Sequence, residues 1–367
     1  MRRSRFSRAL RRGLHPLYRS LETSVHPLRY LFLEVTRKCN LRCLHCGSDC
    51  GADPSGEELS TAQWLAFVDD LAVRFDPRRI FLVFTGGEPL CRAGIFDIMK
   101  RARDRGFAYG MVTNGFGLTA PHVRTLVDLG LMSATVSLDG GRESHDWLRG
   151  TRGSFERAMT AIRALCREDL RFFDVVTCVN PRNLTELPRV LDLLREAGVR
   201  AWRLFSIFPK GRARDNPELL LSCRQVKELL AWIGDTRRAL EGSGFAVDFS
   251  CEGYLPPRVD RAVRSEPYFC RAGISIGSVL VDGSIAACPN IDRSLVQGSI
   301  LRDDFKAVWD GRFEPFRVRD WMRTGPCTSC GQWSRCRGNS LHLWDGERGE
   351  TALCHHRLFA VEEEGGA

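Results

Sequence analysis

The feature that most restricts the fold of this chain is an alternation between short β-rich runs and amphipathic helical stretches. Six strand candidates follow one another, at residues 30–36, 80–85, 109–113, 133–138, 173–179 and 201–208. Segments with apolar residues at helical spacing separate them, at 61–74, 95–105, 121–129, 154–167 and 184–197. This order predicts parallel βα units in an α/β barrel or open sheet, with functional side chains at the C-terminal ends of the strands.

The alternation ends after Phe208, and the rest of the chain has a different composition. A helix is predicted near 224–240, and from Cys270 onward the sequence is rich in turns and cysteines. We therefore expect four regions: a basic arm at 1–29, an α/β core at 30–213, a linker with helices at 214–269 and a small cysteine-rich module at 270–360. The last module has too thin a core to fold without bound metal.

The composition indicates a soluble protein of the cytoplasm. The chain has 367 residues, of which 43% are hydrophobic, too many for a mostly disordered protein. No uninterrupted apolar stretch reaches the roughly 18 to 20 residues of a membrane span. The first thirty residues are rich in arginine and lack the apolar region of a secretory signal.

The net charge of +9 comes almost entirely from arginine, since only five of the 54 basic residues are lysines. Arginine suits carboxylate or phosphate recognition, but a codon-biased genome produces the same excess. The sequence shows no appended RNA-binding module and no basic stripe interleaved with aromatic residues, so no nucleic-acid partner is expected.

The basic arm has the pattern of an amphipathic helix. It carries eight arginines, and its large apolar residues are spaced three or four apart, at Phe6, Leu10, Leu14, Leu17 and Leu21. Such a helix fits either a peripheral contact of residues 1–21 with an anionic membrane or acidic partner, or a solvated arm that caps the domain.

Fifteen cysteines without a secretory signal indicate metal ligands rather than disulfides. Two groups stand out: Cys39, Cys43, Cys46 and Cys50 near the start, and Cys270, Cys288, Cys327, Cys330, Cys336 and Cys354 in the last hundred residues. The other five are scattered singly, which is typical of small buried hydrophobic residues: Cys91, Cys166, Cys178, Cys223 and Cys251.

Cys39, Cys43 and Cys46 form a CxxxCxxC motif directly after the first predicted strand. Three thiolates within eight residues can hold one face of an iron-sulfur cube, whereas a complete set needs four. One iron is then left open, which is what catalysis needs. The alternative is a structural zinc site that borrows His45 or Cys50.

Further polar motifs follow the predicted strands: Gly86-Gly87-Glu88-Pro89-Leu90, Thr113-Asn114-Gly115, Ser137-Leu138-Asp139-Gly140 with His145, Asp146 and Arg149 after it, and Phe208-Pro209-Lys210-Gly211-Arg212. With the cysteine triad, this ordered set over residues 30–210 resembles the radical S-adenosylmethionine (radical SAM) enzymes.

The resemblance implies a partial (β/α)6 TIM-like barrel. It also implies that the triad holds a [4Fe-4S] cluster whose unique iron chelates S-adenosylmethionine, which is cleaved reductively to a 5′-deoxyadenosyl radical that takes hydrogen from substrate. An electron donor such as flavodoxin or ferredoxin is expected. The residues at S-adenosylmethionine would be Gly86, Gly87, Glu88, Asn114, Ser137 and Asp139; Ser137 and Asp139 are equally consistent with loop or helix-cap roles.

The C-terminal cysteines resemble the SPASM domain, the extension with auxiliary iron-sulfur clusters on radical enzymes that mature peptides. The resemblance implies that Cys327, Cys330, Cys336 and Cys354 hold one auxiliary [4Fe-4S] cluster and that Cys270 and Cys288 hold part of another. The alternative for the four is a zinc site.

This sequence departs from the SPASM pattern at two positions. Ser340 stands where a further cysteine is usual, so the first auxiliary site has two thiolates plus Ser340, His342 or Cys251. That site is either an open cluster, a [2Fe-2S] cluster or empty. Pro289 stands where sulfatase-maturing relatives have an acidic residue, which argues against sulfatase maturation.

Three functions follow from these patterns. The leading hypothesis is a radical SAM/SPASM enzyme that modifies a peptide or protein, although residues 1–29 are too short for a winged-helix docking domain. The second is the same chemistry on a small molecule such as a tetrapyrrole, whose propionates arginines would pair with. The third is a non-catalytic iron-sulfur or zinc protein. No catalytic acid or base is identified.

Overall fold

A series of parallel strands forms the centre of the structure. The structure is a computed structural model, and it describes residues 5–52, 56–250 and 253–360. The strands are β1 (Tyr30–Glu34), β2 (Phe81–Thr85), β3 (Ala108–Thr113), β4 (Ser133–Ser137), β5 (Phe172–Val179), β6 (Ala201–Ser206) and β7 (Ala246–Phe249). Each pairs in parallel with the next. The six predicted strands are confirmed, with ends shifted by at most two residues, and β7 is an addition.

Helices connect the strands. They are α1 (Arg5–Val25), α2 (Thr61–Arg74), α3 (Ile95–Asp104), α4 (Ala120–Asp128), α5 (Arg142–Arg149), α6 (Ser154–Leu165), α7 (Leu187–Glu196), α8 (Cys223–Ala239) and α9 (Pro257–Val263). All the predicted connecting helices are confirmed, and α5 was not predicted. This mixed α/β arrangement around a parallel sheet confirms the expected partial barrel.

Helix α2 shows how the sequence sets these elements. The hydroxyl of Ser60 accepts the N–H of Gln63 at 3.2 Å, and the Gln63 side chain accepts the N–H of Ser60 at 2.7 Å. This reciprocal cap satisfies two backbone donors and fixes the first turn. The apolar stripe of α2 is fully buried in the main core, at Trp64, Phe67, Val68 and Leu71.

The C-terminal region adds three strands to the same sheet. Its elements are β8 (Ile276–Val279), β9 (Ser284–Ala286), β10 (Gly298–Ser299), α10 (Phe305–Gly311), α11 (Glu314–Arg317), α12 (Trp333–Cys336), β11 (Trp344–Asp345), β12 (Glu350–Thr351) and α13 (Arg357–Ala360). Strand β8 pairs in parallel with β1, and β9 and β10 follow antiparallel. The sheet therefore has ten strands, in the order β10-β9-β8-β1-β2-β3-β4-β5-β6-β7.

The predicted boundary at Cys270 does not coincide with a break in the sheet. Strands β8 to β10 belong to the predicted cysteine-rich module, yet they lie beside the first core strand. The four predicted regions remain a prediction, but part of the last one is buried against the core rather than standing alone. Trp309 of α10, for example, is fully buried in the main hydrophobic cluster.

The basic arm contains the predicted helix, α1. Leu14, Leu17 and Leu21 are exposed rather than packed, while the side chains of Phe6 and Leu10 lie outside the described part of the chain. Among the described residues, no helix combines the length and the apolar character needed to cross a bilayer.

Candidate functional site

The predicted motifs meet at the C-terminal ends of the core strands. The segment after β1 carries the cysteine triad, and the segments after β2, β3 and β4 carry Glu88, Asn114 and Asp139. Because the strands are parallel, their C-terminal ends share one side of the sheet. Hydrogen bonds join these four segments.

Each of the three triad sulfurs accepts at least one N–H bond, and the donors come from several parts of the chain. Asn114 Nδ2 lies 3.6 Å from Cys39 Sγ, and Arg149 Nη1 lies 3.7 Å from Cys43 Sγ. The backbone N–H of Cys50 donates to Cys46 Sγ at 3.4 Å. Donors aimed at sulfur suit thiolates, and hydrogen bonds of this kind tune iron-sulfur clusters.

The charge states of the triad are set by burial and by Cys50. Burial raises the pKa of Cys39 to about 12 and also raises the pKa of Cys43. The Cys50 thiol donates to Cys46, which lowers the pKa of Cys46 to about 5 and raises that of Cys50. Three thiolates in one short loop need a cation to compensate their charge, and metal ligation both supplies it and deprotonates the thiols. The donor set therefore fits an iron-sulfur cluster with three cysteine ligands.

Gly86 and Gly87 let the end of β2 lie directly against the segment that leads into the triad. A Cβ on Gly86 would stand 2.2 Å from the carbonyl oxygen of Thr36, and one on Gly87 would stand 2.3 Å from that of Lys38. The N–H of Gly87 donates to Thr36 at 2.7 Å. Gly86 also has φ +140°, which other residues rarely adopt. The glycines thus position the cysteine loop.

Glu88 is fully buried and bonded within the protein. Its carboxylate accepts from the Thr113 hydroxyl at 2.9 and 3.0 Å, from the Asn114 N–H at 2.8 Å and from the Leu90 N–H at 3.3 Å. Burial raises the pKa of Glu88, against the effect of these donors. The Glu88 carboxylate therefore joins the ends of β2 and β3.

Asp139 and Arg149 form a buried ion pair beside the triad. Arg149 Nε donates to Asp139 at 2.6 Å, and the same guanidinium reaches Cys43. Burial alone would raise the pKa of Asp139, but Arg149, together with His45, His145 and the N–H of Cys178, holds that pKa below its usual value. Ligand atoms of His45, Asp139 and Cys178 lie within 4.8 Å of one another. Because Arg149 already neutralises the carboxylate, this group is a poor cation site.

Ser137 and His145 lie at the end of β4 and in α5, next to Asp139 and its loop. Ser137 is the last residue of β4 and is buried. The N–H of Asp139 donates to His145 Nδ1 at 2.9 Å, so the ring of His145 accepts and is neutral there. Burial lowers the pKa of His145 to about 4. Helix α5 thus holds the loop after β4 through two side chains, His145 and Arg149.

The segment after β6 also packs on the cysteine loop. The N–H of Arg212 donates to Cys46 O at 3.0 Å, and its guanidinium donates to Cys43 O and Cys50 O at 2.8 Å each. A Cβ on Gly211 would stand 2.3 Å from Cys46 O, and its φ is +55°. The segment after β6 therefore helps to fix the cysteine loop.

A cavity of about 520 Å³ lies against the same loop. Its lining includes Cys39 and Cys50 together with three arginines, Arg37, Arg42 and Arg212. The acidic residue in the lining is Asp49, which Arg212 pairs with at 2.7 Å. The wall nearest the triad is therefore electropositive.

Glu58 and Arg92 support the loop and were missed by the sequence analysis. Glu58 accepts from the Thr36 hydroxyl at 2.9 Å and from the Arg37 N–H at 2.7 Å. Arg92 is buried and donates to the backbone oxygens of Val35 and Leu59, at 2.6 Å each. No local pattern marks either residue, because both act through contacts distant in sequence.

The four C-terminal cysteines of the predicted second cluster lie near one another. Burial, with neighbouring Cys354, Cys327 and Cys330, raises the pKa of Cys336 to about 12. The N–H of Cys330 donates to Cys327 O at 3.3 Å, and Cys336 ends α12. Four such thiols within interacting range fit a cluster or a zinc ion, since either metal would compensate their charge.

The remaining predicted ligands lie in a different part of the C-terminal region. Ser340 is buried with its hydroxyl 3.3 Å from Tyr268 Oη, and the next N–H, that of Leu341, donates to the Cys270 sulfur. Burial would raise the pKa of Cys270, but Arg319 and Leu341 outweigh it and the pKa is lowered. Ser340 is thus beside Cys270.

Cys288 and His342 both lie close to Lys210, from the segment after β6. Lys210 Nζ donates to Asn290 O at 2.5 Å, two residues after Cys288. His342 lines a small cavity with Lys210 and packs on Phe208, with ring centroids 4.7 Å apart. Its buried Nε2 has no hydrogen-bond partner among the described residues. Cys251, the other predicted ligand for this site, lies outside the described residues.

Comparison with known proteins agrees with this geometry. The family model of the Radical SAM superfamily matches residues 33–194. Mycofactocin maturase MftC of Mycolicibacterium smegmatis is 30% identical, over 84% of this chain and 76% of its own length. AdoMet-dependent heme synthase of Nitratidesulfovibrio vulgaris is 25% identical, over 94% of this chain and 98% of its own length.

The fold has solved counterparts. The structure of anSMEcpe with bound AdoMet superimposes with a TM-score of 0.70, at 17% identity, over 92% of this chain and 95% of that one. Three findings agree: the match to the family model, the relative at 30% identity and the motifs at the strand ends. The hypothesis of a non-catalytic metal protein is therefore wrong. The chain belongs to the radical SAM superfamily, whose members are enzymes that use a [4Fe-4S] cluster with S-adenosylmethionine.

Proposed function

We propose that this enzyme removes a hydrogen atom from a side chain of a peptide or protein. Cys39, Cys43 and Cys46 hold the [4Fe-4S] cluster in this proposal. The cluster, when bound, supplies the electron that cleaves S-adenosylmethionine to methionine and the 5′-deoxyadenosyl radical. The observation that carries the assignment is the triad itself, in which Cys39 and Cys43 are buried, Cys46 is partly buried and every sulfur accepts at least one N–H bond.

The protein's own residues orient the cofactors and exclude water. Gly86 and Gly87 fix the loop against β2, and Arg212 fixes it from the opposite side. Glu88 and Asn114 connect the ends of β2 and β3 to Cys39. We propose that Ser137 and Asp139, at the end of β4, face the nucleoside of S-adenosylmethionine. A site built on strand ends is rigid, which suits a reactive radical.

We propose that Cys327, Cys330, Cys336 and Cys354 hold one auxiliary cluster. The raised pKa values of Cys327 and Cys336 support this choice, because burial and the neighbouring cysteines of the set both act on these two thiols. Cys270, Cys288 and a third ligand would hold a second auxiliary group, with Ser340 next to Cys270 as the alternative to the missing cysteine.

We propose that an acidic electron donor such as flavodoxin or ferredoxin docks over the opening of the cavity beside the triad. Arg37, Arg42 and Arg212 line it, and Cys39 forms part of its wall. A donor that covers this opening would place its redox group near the cluster across one layer of side chains. Complementary charge also speeds the encounter between the two proteins.

The peptide assignment is supported by the relative at 30% identity, which is named a maturase. The test is anaerobic co-expression with each short peptide encoded next to the gene, followed by mass spectrometry of the peptides. A loss of two hydrogens or a new crosslink is expected in one peptide, and none with a Cys39/Cys43/Cys46→Ala variant. If no neighbouring peptide changes mass while 5′-deoxyadenosine forms, the peptide assignment is wrong.

A tetrapyrrole is the second candidate substrate. The observation that favours it is the match to a heme synthase over almost the whole length of both chains. Titration of the reconstituted enzyme with an iron porphyrin that carries propionates separates the candidates. A shifted Soret band at about one porphyrin per chain, with 5′-deoxyadenosine released on reduction, supports this candidate. Unchanged porphyrin absorbance removes it.

The ligand assignment has its own test, the iron and sulfide content of anaerobically reconstituted protein. About eight irons per chain should fall to about four in the Cys39/Cys43/Cys46→Ala variant, with a cluster EPR signal persisting. About twelve falling to about eight would show that the site at Ser340 is also filled. Zinc in place of the remaining iron would contradict the auxiliary cluster.

A further inference from the structure

Helix α1 is held along one face by α9 and the segment that follows it. Arg12 donates to the backbone oxygen of Arg264 at 2.8 Å and pairs with Asp260 at 3.5 Å. The ring of His15 meets Phe269 edge-on, with centroids 6.1 Å apart. These contacts join residues about 250 positions apart in sequence, so the helix is docked rather than free.

The end of α1 is anchored as well. Glu22 is buried and accepts from Arg29 Nε at 3.1 Å. Trp309 Nε1 donates to the backbone oxygen of His26, just past the helix, at 3.1 Å. The two contact regions fix the rotation of the helix about its axis, so the opposite face has a defined direction.

That opposite face carries four large aliphatic side chains, which we call the apolar stripe: Leu14, Leu17, Leu21 and Val25. They are 51%, 68%, 60% and 59% exposed. Their spacing of three, four and four residues aligns them on one side of the helix over about 16 Å. Single exposed leucines are ordinary, but a continuous row marks an interaction surface.

The arm that carries the apolar stripe is strongly basic in sequence, and two of its arginines, Arg12 and Arg19, bond to backbone oxygens of other segments. Residues 1–21 contain seven arginines and no aspartate or glutamate. The first acidic residue is Glu22, which is buried on the docked face and paired with Arg29. A partner that covers this arm must therefore accept both apolar side chains and a dense positive charge. The headgroup and acyl boundary of an anionic bilayer offers both.

We propose that α1 is a membrane-docking helix, which lies in the interface of an anionic bilayer with its apolar stripe inserted. The described helices include none able to cross a bilayer, so the contact is peripheral. The enzyme would then work at a membrane surface, held through α9 and the segment that follows it, on which α1 packs. This proposal does not depend on which substrate the radical site uses.

The test is co-sedimentation of the full-length, reconstituted enzyme with vesicles of phosphatidylglycerol and phosphatidylcholine, and with phosphatidylcholine alone. We expect binding to the anionic vesicles that weakens as salt is raised, because counterions screen the arginines. Leu17→Glu and Leu21→Glu should each weaken binding roughly tenfold, since each removes the burial of one leucine.

Val73→Glu is the matched control, because Val73 lies on α2 and is 87% exposed. It should bind like the wild type, and the iron content of all variants should be equal. Absence of sedimentation with anionic vesicles overturns the proposal, as does an equal loss in Val73→Glu. A dimer that Leu17→Glu converts to a monomer, without vesicle binding, would show that a second copy covers the stripe instead.

Discussion

At the scale of single residues, the triad sulfurs are distinguished by what donates to them. Cys39 accepts from a neutral amide, Cys46 from a backbone N–H and Cys43 from a guanidinium. The Arg149 contact is the strongest of the three, because the donor is charged and buried. Arg149 also pairs with Asp139, so it connects the proposed nucleoside end of the site to the cluster ligand.

Arg149 is therefore expected to set the reduction potential of the cluster. Arg149→Met removes a positive charge and a donor from Cys43, which disfavours the reduced state and shifts the midpoint potential to a more negative value. Arg149→Lys keeps the charge and should shift it less. The measurement is an EPR-monitored redox titration with S-adenosylmethionine absent.

Arg42→Met is the control for this prediction, because Arg42 is an exposed arginine of the same loop. Its potential should equal that of the wild type. Identical potentials in Arg149→Met and the wild type would mean that the Arg149 contact is purely structural.

At the scale of elements, prediction succeeded where a strand or helix has a periodic pattern. Helix α2 was predicted over its whole length because its apolar residues recur at helical spacing. Strand β7 was missed because its four residues, with a central Asp248, carry too little pattern. Helix α5 was missed because its sequence, RESHDWLR, is short and mostly polar.

The same limit applies to the candidate site. Cysteine and glycine motifs are local in sequence, so the triad and Gly86-Gly87 were found. Glu58 and Arg92 were not, since their role lies in hydrogen bonds to backbone atoms more than twenty residues away. The docked face of α1 was equally hidden, because Asp260 and Phe269 are distant in the chain.

Helix α5 makes the stability of the site depend on pH. His145 is buried and accepts the Asp139 N–H, which lowers its pKa to about 4. Its pKa in the unfolded chain is near 6.5, so the unfolded state binds the proton first as pH falls. Stability is complete above about pH 6.5 and is lost toward pH 4, by about 3 kcal/mol at most.

His145→Asn tests this dependence, because an amide oxygen can still accept the Asp139 N–H but does not titrate. Thermal unfolding midpoints of both proteins are measured between pH 7 and 4.5. The wild type should lose stability more steeply than the variant over this range. Parallel curves would show that His145 does not contribute.

At the scale of the whole molecule, the core and the C-terminal region share one sheet. Strand β8 pairs with β1 in parallel register, from Tyr30 with Ile276 to Leu33 with Val279. Strand β1 leads directly into the triad loop. The edge of β1 that faces away from β2 is therefore covered by a strand that lies almost 250 residues later in the chain.

Truncation after residue 269 should accordingly fail even though it keeps the whole triad. It exposes the edge of β1 and the apolar surface that α10 covers, both of which favour aggregation. Size-exclusion chromatography and iron analysis are the measurements, with Cys327→Ala/Cys330→Ala as the control. The control loses the C-terminal ligands but keeps β8, so it should stay soluble with about four irons. A soluble truncated protein with four irons would contradict this view.

The position of β8 also matters while the chain is being made. About 245 residues separate the end of β1 from the end of β8. At typical rates of synthesis, their emergence from the ribosome is separated by roughly 10 to 50 seconds. During that interval the triad loop has left the ribosome on a strand that lacks one neighbour. The complete site, with β8 beside β1, can therefore receive its cluster only after β8 has been made. Until then, the triad thiols are exposed to oxidation by oxygen.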